Sequence, residues 1–384
     1  MIIGGIPYVL SYMLIFTPPA VNPASGAVIL FLYLIFSTCL FDTFNSIFFI
    51  NYVSLFPDKF RSSKERRLAT GIQTPIGILG IAVGAIVPGL IITNTDATTY
   101  PIQAMIMSMI GLVAIILAVP GCREDQEKID QYLEKHSEKS DRTPFFESLV
   151  RALKHSSFVI FIIGYTLYRC LVISMQSSIP YVVTFILDEP EIYVTLLSAG
   201  FLIGALISSP LWAKLAQKTN NNKRVMVISS TLMAVFTFPL AFLADPIYLL
   251  IGTTFWGVAL GGYWTMISPV LSDVIDESVV QSGKREEGVY NGFLQFFGRL
   301  GLLFQALTFA IVHTLTDFPE GAKTLGDLQI LSSTPQLAIL GISVHFAIIP
   351  AIVMGIGTII FWKFYKLTPD IIEEHQAQVR KLKL

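Results

Sequence analysis

Apolar residues run through this chain in stretches of about twenty or more, long enough to cross roughly 30 Å of hydrocarbon as helices. Ten such runs are expected, near residues 1–17, 26–56, 68–93, 100–120, 157–187, 192–213, 224–244, 246–274, 287–316 and 341–365. The longest hydrophilic stretch, Gly121 to Ser156, follows the fourth run and mixes both signs of charge (Arg123, Glu124, Asp125, Glu127, Lys128, Asp130). An amphipathic, surface-lying linker is the reading this mixture supports. The pattern therefore predicts an all-α polytopic membrane protein of about ten transmembrane helices in two bundles. Four helices fall in residues 1–120 and six in 157–384, the second bundle ending in a cytoplasmic tail, with a cytoplasmic linker at 121–156.

Composition agrees with the pattern. Of the 384 residues 53% are hydrophobic and 14% charged, where a soluble domain carries about 25% charged residues. The near-zero net charge, 26 basic against 27 acidic residues, excludes the cationic surface that nucleic-acid binding needs. Cys39, Cys122 and Cys170 are scattered and form no Cys-x-x-Cys pair, so neither a disulfide framework nor a metal site is expected. The start, Met1-Ile2-Ile3-Gly4-Gly5, lacks the basic region of a signal peptide. The chain is expected to begin at or inside a span.

Lysine and arginine locate the cytoplasmic side, because short cytoplasmic loops retain them during insertion. Of 26 basic residues, 23 fall on alternate loops, beginning with Lys59, Arg61, Lys64, Arg66 and Arg67 and ending with the stretch from Lys363 onward. The opposite loops hold Lys323 but also Asp96, Asp188, Glu189, Glu191, Asp245 and Asp317. A multi-pass protein of the cell membrane, with both termini cytoplasmic, is the resulting expectation.

An ionisable side chain at membrane depth is costly and needs a partner or a watery cavity. Asp42, Arg169 and Arg299 are in that position. Asn45, at i+3 from Asp42, and Gln295, four residues before Arg299, share their faces. Gly80 with Gly84, Gly200 with Gly204, Gly257 with Gly261 and Gly288 with Gly292 have the spacing that lets helices approach closely, with plain bundle packing as their simplest role. Near the end of the eighth run, Asp273 and Asp276 are spaced i, i+3 on one helix face, while Arg285 and Glu287 stand where the next helix begins. Opposite charges on both sides of a short turn can lock helix ends together, and a small motion breaks such a lock.

Asp273-x-x-Asp276 followed by Gly283-x-Arg285-x-Glu287-Gly288 resembles the signature of the glycoside-pentoside-hexuronide:cation symporters, the melibiose permease-like branch of the major facilitator superfamily. A second match lies at the first cytoplasmic loop, where Asn51-Tyr52-Val53-Ser54-Leu55-Phe56-Pro57-Asp58 is similar to the family's Pro-Tyr-x-Ala-Leu-x-Pro-Glu and is followed by Glu65-Arg66 and Leu68. The resemblance implies a two-bundle major facilitator fold that rocks about a central site. The family has twelve helices, so the four-plus-six pattern implies that its first two have no counterpart, nor do the acidic residues it carries there. The family's acidic residue on its fourth helix would fall near Phe49. Trp264 falls where the family has a sugar-contacting tryptophan, Arg299 where it has a buried lysine, and Gln73 near a common arginine.

The expected function is secondary transport of a small solute by alternating access, coupled to Na+ or H+ and needing no other cofactor. A sugar, glycoside or sugar acid is the leading substrate. The expected substrate-binding residues are Asp42, Asn45, Arg169, Trp264, Gln295 and Arg299, and the expected cytoplasmic gate is Asp273, Asp276, Arg285 and Glu287. Two arginines suit an anionic or hydroxyl-rich ligand, since guanidinium gives paired hydrogen bonds. A lysolipid or other amphiphile is the alternative substrate, and a truncated, sensor-like remnant that does not transport is the alternative function. Catalysis is not expected: the five histidines fall on separate segments, with no His-x-x-x-His or Glu-x-x-His spacing and no phosphate-binding loop. The expected partners are the solute and the bilayer, with no nucleic acid, and the chain is expected to be a monomer.

Overall fold

A computed structural model of the chain describes residues 2–21, 26–92, 96, 98–123, 145–284 and 286–382. The described residues are helical and contain no strand. In chain order the helices are α1 (Ile2–Ile15), α2 (Ala27–Lys59), α3 (Ser63–Ile91), α4 (Thr99–Ala118), α5 (Phe145–Lys154), α6 (Ser156–Val182) and α7 (Ile192–Thr219). They continue with α8 (Asn222–Leu240), α9 (Pro246–Ser282), α10 (Glu287–Leu315), α11 (Leu325–Leu331), α12 (Pro335–Ser343), α13 (Ile349–Phe364) and α14 (Pro369–Leu382). A π turn, Val183–Leu187, finishes α6, and another, Val344–Ile348, joins α12 to α13 as one membrane-length element. Among the described residues nine helical stretches are long and apolar enough to cross a bilayer. The remaining expected run is α1, whose 14 residues rise only about 21 Å at 1.5 Å each.

The chain forms two compact units, residues 1–59 with 80–148, and residues 60–79 with 149–384. In the first, α1 packs on α2 and α4. The contact depends on small residues: a methyl group on Gly5 would stand 3.1 Å from the Phe48 ring and 3.2 Å from Ile115. Gln103, fully buried on α4, donates to the Tyr12 hydroxyl at 2.7 Å. Phe31, Ile116 and Leu117 point outward, as suits helices surrounded by acyl chains.

In the second unit α9 is the buried centre, flanked by α7, α8 and α14, while α6 packs on α10 and α13. The α7–α9 contact uses two of the four glycine pairs. A methyl group on Gly204 would run into the Thr254 carbonyl, and one on Gly257 into the Phe201 backbone. Gly80, Gly84, Gly288 and Gly292 have nothing within 4 Å of where a methyl would stand.

Three of the boundaries that differ from the hydropathy reading are set by capping, not apolarity. Helix α3 starts at Ser63, before the apolar run, because Ser62 and Glu65 form a capping box: Glu65 N–H donates to Ser62 Oγ at 3.2 Å and Ser62 N–H to Glu65 Oε2 at 3.1 Å. Helix α9 continues to Ser282 and ends on Gly283, whose φ of 68° is left-handed and whose N–H returns to the Val279 carbonyl. The last spanning element begins at Pro335, a residue suited to the first helical turn. Two acidic loop residues also serve as terminators or caps. Asp245 accepts from the N–H groups of Ile247 and Tyr248 at 2.9 and 3.1 Å, and Asp188 adopts a left-handed φ of 52° where the α6 π turn ends.

Candidate functional site

The capping box that starts α3 early turns Arg66 and Arg67 from loop residues into helical ones, and both are buried, at 1% and 3% exposure. Arg66 donates from Nη1 to Asp276 Oδ2 at 2.7 Å and to Asp273 Oδ1 at 3.3 Å, and from Nε to the Phe60 carbonyl at 2.8 Å. Arg67 donates to Asn222 Oδ1 at 2.7 Å and to Asn220 Oδ1 at 2.6 Å. Asn222 closes the chain by donating to Asp273 Oδ2 at 2.7 Å. Asn220 is held for this by its left-handed backbone, φ 49°, at the end of α7. Two cations meet two carboxylates, so the cluster is neutral although it lies out of water.

Neighbouring elements close the cluster. Helix α14 packs on α9, and Gln376 donates to Ser63 Oγ at 2.8 Å. Tyr365, buried just after α13, stacks on Phe361 with ring centroids 4.4 Å apart. Burial raises its phenol pKa well above the ordinary value, and the carboxylates of Asp273 and Glu277 add to the rise. One turn beyond Asp273, Glu277 pairs with His155 Nε2 at 2.8 Å. At 37 residues, α9 is about 55 Å long, so these last turns extend past the roughly 30 Å of hydrocarbon that it spans.

Of the expected gate residues, Asp273 and Asp276 thus meet on one guanidinium. Their partner is Arg66, over two hundred residues away in sequence and outside the expected set. Glu287 is buried in the first turn of α10, and Arg285 lies outside the described residues. The signal for Arg66 was present in Ser62-x-x-Glu65, which places the residue after Glu65 on a helix.

A second cluster lies deeper in the same unit. Trp264 Nε1 on α9 donates to the Tyr168 hydroxyl on α6, and Tyr168 stacks on Tyr263 with centroids 4.2 Å apart. Tyr165, one turn earlier, packs 5.8 Å from Tyr168. Beside them half-buried Arg169 directs its Nε toward the Gly298 carbonyl of α10, at 3.4 Å. Gly298 and Gly301 make room for this: a methyl on Gly301 would come within 3.0 Å of the Arg169 carbonyl. The expected Arg169 and Trp264 are therefore joined through Tyr168. Gln295 is half-buried and Arg299 exposed on α10. Asp42 and Asn45 are half-buried on α2 in the other unit. Of this aromatic set, Tyr165 and Tyr263 were not among the expected residues.

Comparison with known proteins identifies the scaffold. Residues 1–369 match the family model described as MFS/sugar transport protein. The chain belongs to this family. Among curated members it is 20% identical over 339 residues to the sodium-dependent lysophosphatidylcholine symporter 1 of Mus musculus, covering 79% of this chain and 62% of that protein. It is 21% identical over 420 aligned positions to the sphingosine-1-phosphate transporter MFSD2B of Xenopus tropicalis, covering all of this chain and 76% of that one. This family member thus spans less than two thirds of the mouse relative's length. Its fold is that of the E. coli fucose:proton symporter FucP, with a TM-score of 0.54 at 11% identity over 95% of this chain and 84% of that one.

Proposed function

We propose that this protein is a secondary transporter of the cell membrane, cation-coupled and monomeric, which works by alternating access with both termini in the cytoplasm. The observation that carries the reading is the buried, neutral cluster of Arg66, Asp273 and Asp276. Buried ion pairs are poor sources of stability, since apolar residues of similar volume do as well or better. Their value is that they exist in two states, made and broken. Helix α3, whose first turns carry Arg66, belongs to one compact unit up to Leu79 and to the other from Gly80 onward. A lock on α3 therefore acts on the element that both units share. The 23 basic residues on alternate loops support a cytoplasmic position for this gate.

The substrate we infer is a polar-headed amphiphile, with Arg169 holding an anionic headgroup and Tyr165, Tyr168 and Trp264 bordering it. The names of the lysophosphatidylcholine and sphingosine-1-phosphate relatives support that class. A sugar or sugar acid is the second reading, favoured by the resemblance of the Trp264 position to the sugar-contacting tryptophan of melibiose permease-like symporters. The coupling ion is Na+ or H+.

Uptake into proteoliposomes tests both readings, with lysophosphatidylcholine, sphingosine 1-phosphate, sugars and sugar acids offered under imposed Na+ or proton gradients. Saturable, gradient-driven uptake of a phospholipid-like substrate is expected. Arg169→Gln should lower it about tenfold or more, as loss of a charge-assisted hydrogen bond does, with folding unchanged. If monodisperse protein moves none of these compounds, the sensor-like reading replaces transport.

A further inference from the structure

The two histidines that the sequence separates by 32 positions meet in space. His313 Nε2, in the last turn of α10, lies 3.3 Å from His345 Nε2 in the second π turn. His345 Nδ1 lies 2.7 Å from Ser178 Oγ on α6. Ser178 Oγ also lies 2.6 Å from the Ser174 carbonyl, to which it donates. With its one proton spent there, the serine oxygen accepts from His345, so His345 carries its proton on Nδ1. Its Nε2 is then an acceptor, and His313 must donate to it from its own Nε2. Within the Ser178–His345–His313 relay the ring lone pair left over is His313 Nδ1, which has no hydrogen-bond partner among the described residues.

We propose that Ser178, His345 and His313 form a proton-binding site that takes up one proton, at His313 Nδ1. The proton adds to that lone pair, no other bond breaks, and the imidazolium keeps its Nε2–H on His345. A second proton has no place, because both nitrogens of His345 are already engaged. Two features of the surroundings offset the cost of placing a cation on half-buried His313. It lies at the C-terminal end of a helix, where the dipole is negative, and Phe318 stacks on it with centroids 4.4 Å apart. His345 is fully buried beneath Phe309 and Tyr181, and its π turn is the kind of irregularity that positions functional side chains.

Ionisable neighbours are few. Tyr181 of α6 packs 5.3 Å from His313. Asp317, after α10, has its carboxylate bound to Ser333. Helix α8, which packs on the π turn, has its only ionisable side chains, Lys223 and Arg224, in its first turn, and α12 has none. Helix α13 carries Lys363 in its last turn, and α11, against the first π turn, carries Asp327. Ser178 is 23 residues along α6 from His155, which pairs with α9 beside the Arg66 cluster, a rise of about 35 Å. The proton site is therefore at the end of this unit opposite that cluster, and in the orientation proposed above protons reach it from the non-cytoplasmic side.

The test is 15N NMR of histidine-labelled full-length protein in nanodiscs, from about pH 8 down to about pH 5. At high pH His345 should report a proton on Nδ1 and His313 one on Nε2. On acidification both should shift with one shared midpoint and the uptake of a single proton. In His345→Gln, His313 should titrate alone at a displaced midpoint, and in Ser178→Ala the Nδ1 tautomer of His345 should be lost. The His155 and His375 signals, unchanged in the variants, certify the fold. Two neutral, non-titrating rings, or independent titrations with the midpoints seen in the single variants, overturn the proposal. Neither result depends on a transport assay.

Discussion

Arg66 shows how much of this protein rests on individual side chains. A guanidinium 1% exposed and bound to two carboxylates has already met the cost of leaving water, so removing it leaves two carboxylates, Asp273 and Asp276, to the single charge of Arg67. Arg66→Met should destabilise the protein by about 3–5 kcal/mol, read as a fall in the unfolding midpoint of purified protein. Adding Asp276→Asn should recover most of that loss, because Asp273 is then balanced by Arg67, to which Asn222 links it. A double variant no more stable than Arg66→Met would mean that the cluster is not the linked unit its geometry describes. The pairing itself was beyond sequence reading. Asp273 and Asp276 were visible as an i, i+3 pair, but their partner comes from a helix whose start is fixed by a capping box rather than by hydropathy.

The same division holds for whole elements. Four glycine pairs have one sequence spacing, yet only the pairs on α7 and α9 bring backbones together. Gly257→Leu should therefore abolish folded, membrane-inserted protein, since Phe201 of the facing helix occupies the space a side chain would need. Gly288→Ala, in open space on α10, should be neutral or stabilising by up to about 1 kcal/mol, the ordinary gain for glycine to alanine in a helix. Expression and thermal stability of the two variants compare these outcomes directly. Equal tolerance of both would remove the close approach as the reason for glycine at 257. Apolar run length located these helices to within eight residues at every end because it reports burial in lipid or protein alike. It could not say which faces touch, because the apolar residues surround each helix.

At the scale of the molecule, membrane sidedness follows from charge counting and can be tested without any transport assay. Single cysteines at Ser62 and Ser282, in an otherwise cysteine-free chain, should react with an impermeant maleimide only from the cytoplasmic side, and one at Thr98 only from outside. Labelling of Ser62 and Thr98 from the same side would overturn the orientation, and with it the cytoplasmic position of the Arg66 gate. Arg66 and Arg67 count toward the expected sidedness even though both are buried. Topology depends on which side retains positive charge during insertion, whereas the final environment of each arginine depends on later packing.

Sequence alone determined the all-helical, membrane-spanning character of this protein, the approximate position of each span and the residues able to carry charge in the membrane. Those are properties of local composition and period, fixed by the cost of exposing backbone polar groups to hydrocarbon. Only the tertiary structure decided which charges pair. It brought Arg66 to Asp273 and Asp276, joined Arg169 to Trp264 through Tyr168, and set His313 against His345. Each contact joins residues from different helices, with separations from 32 to 210 positions among the charged and histidine pairs. No spacing rule reaches that far, because helix packing, not the chain, sets those distances.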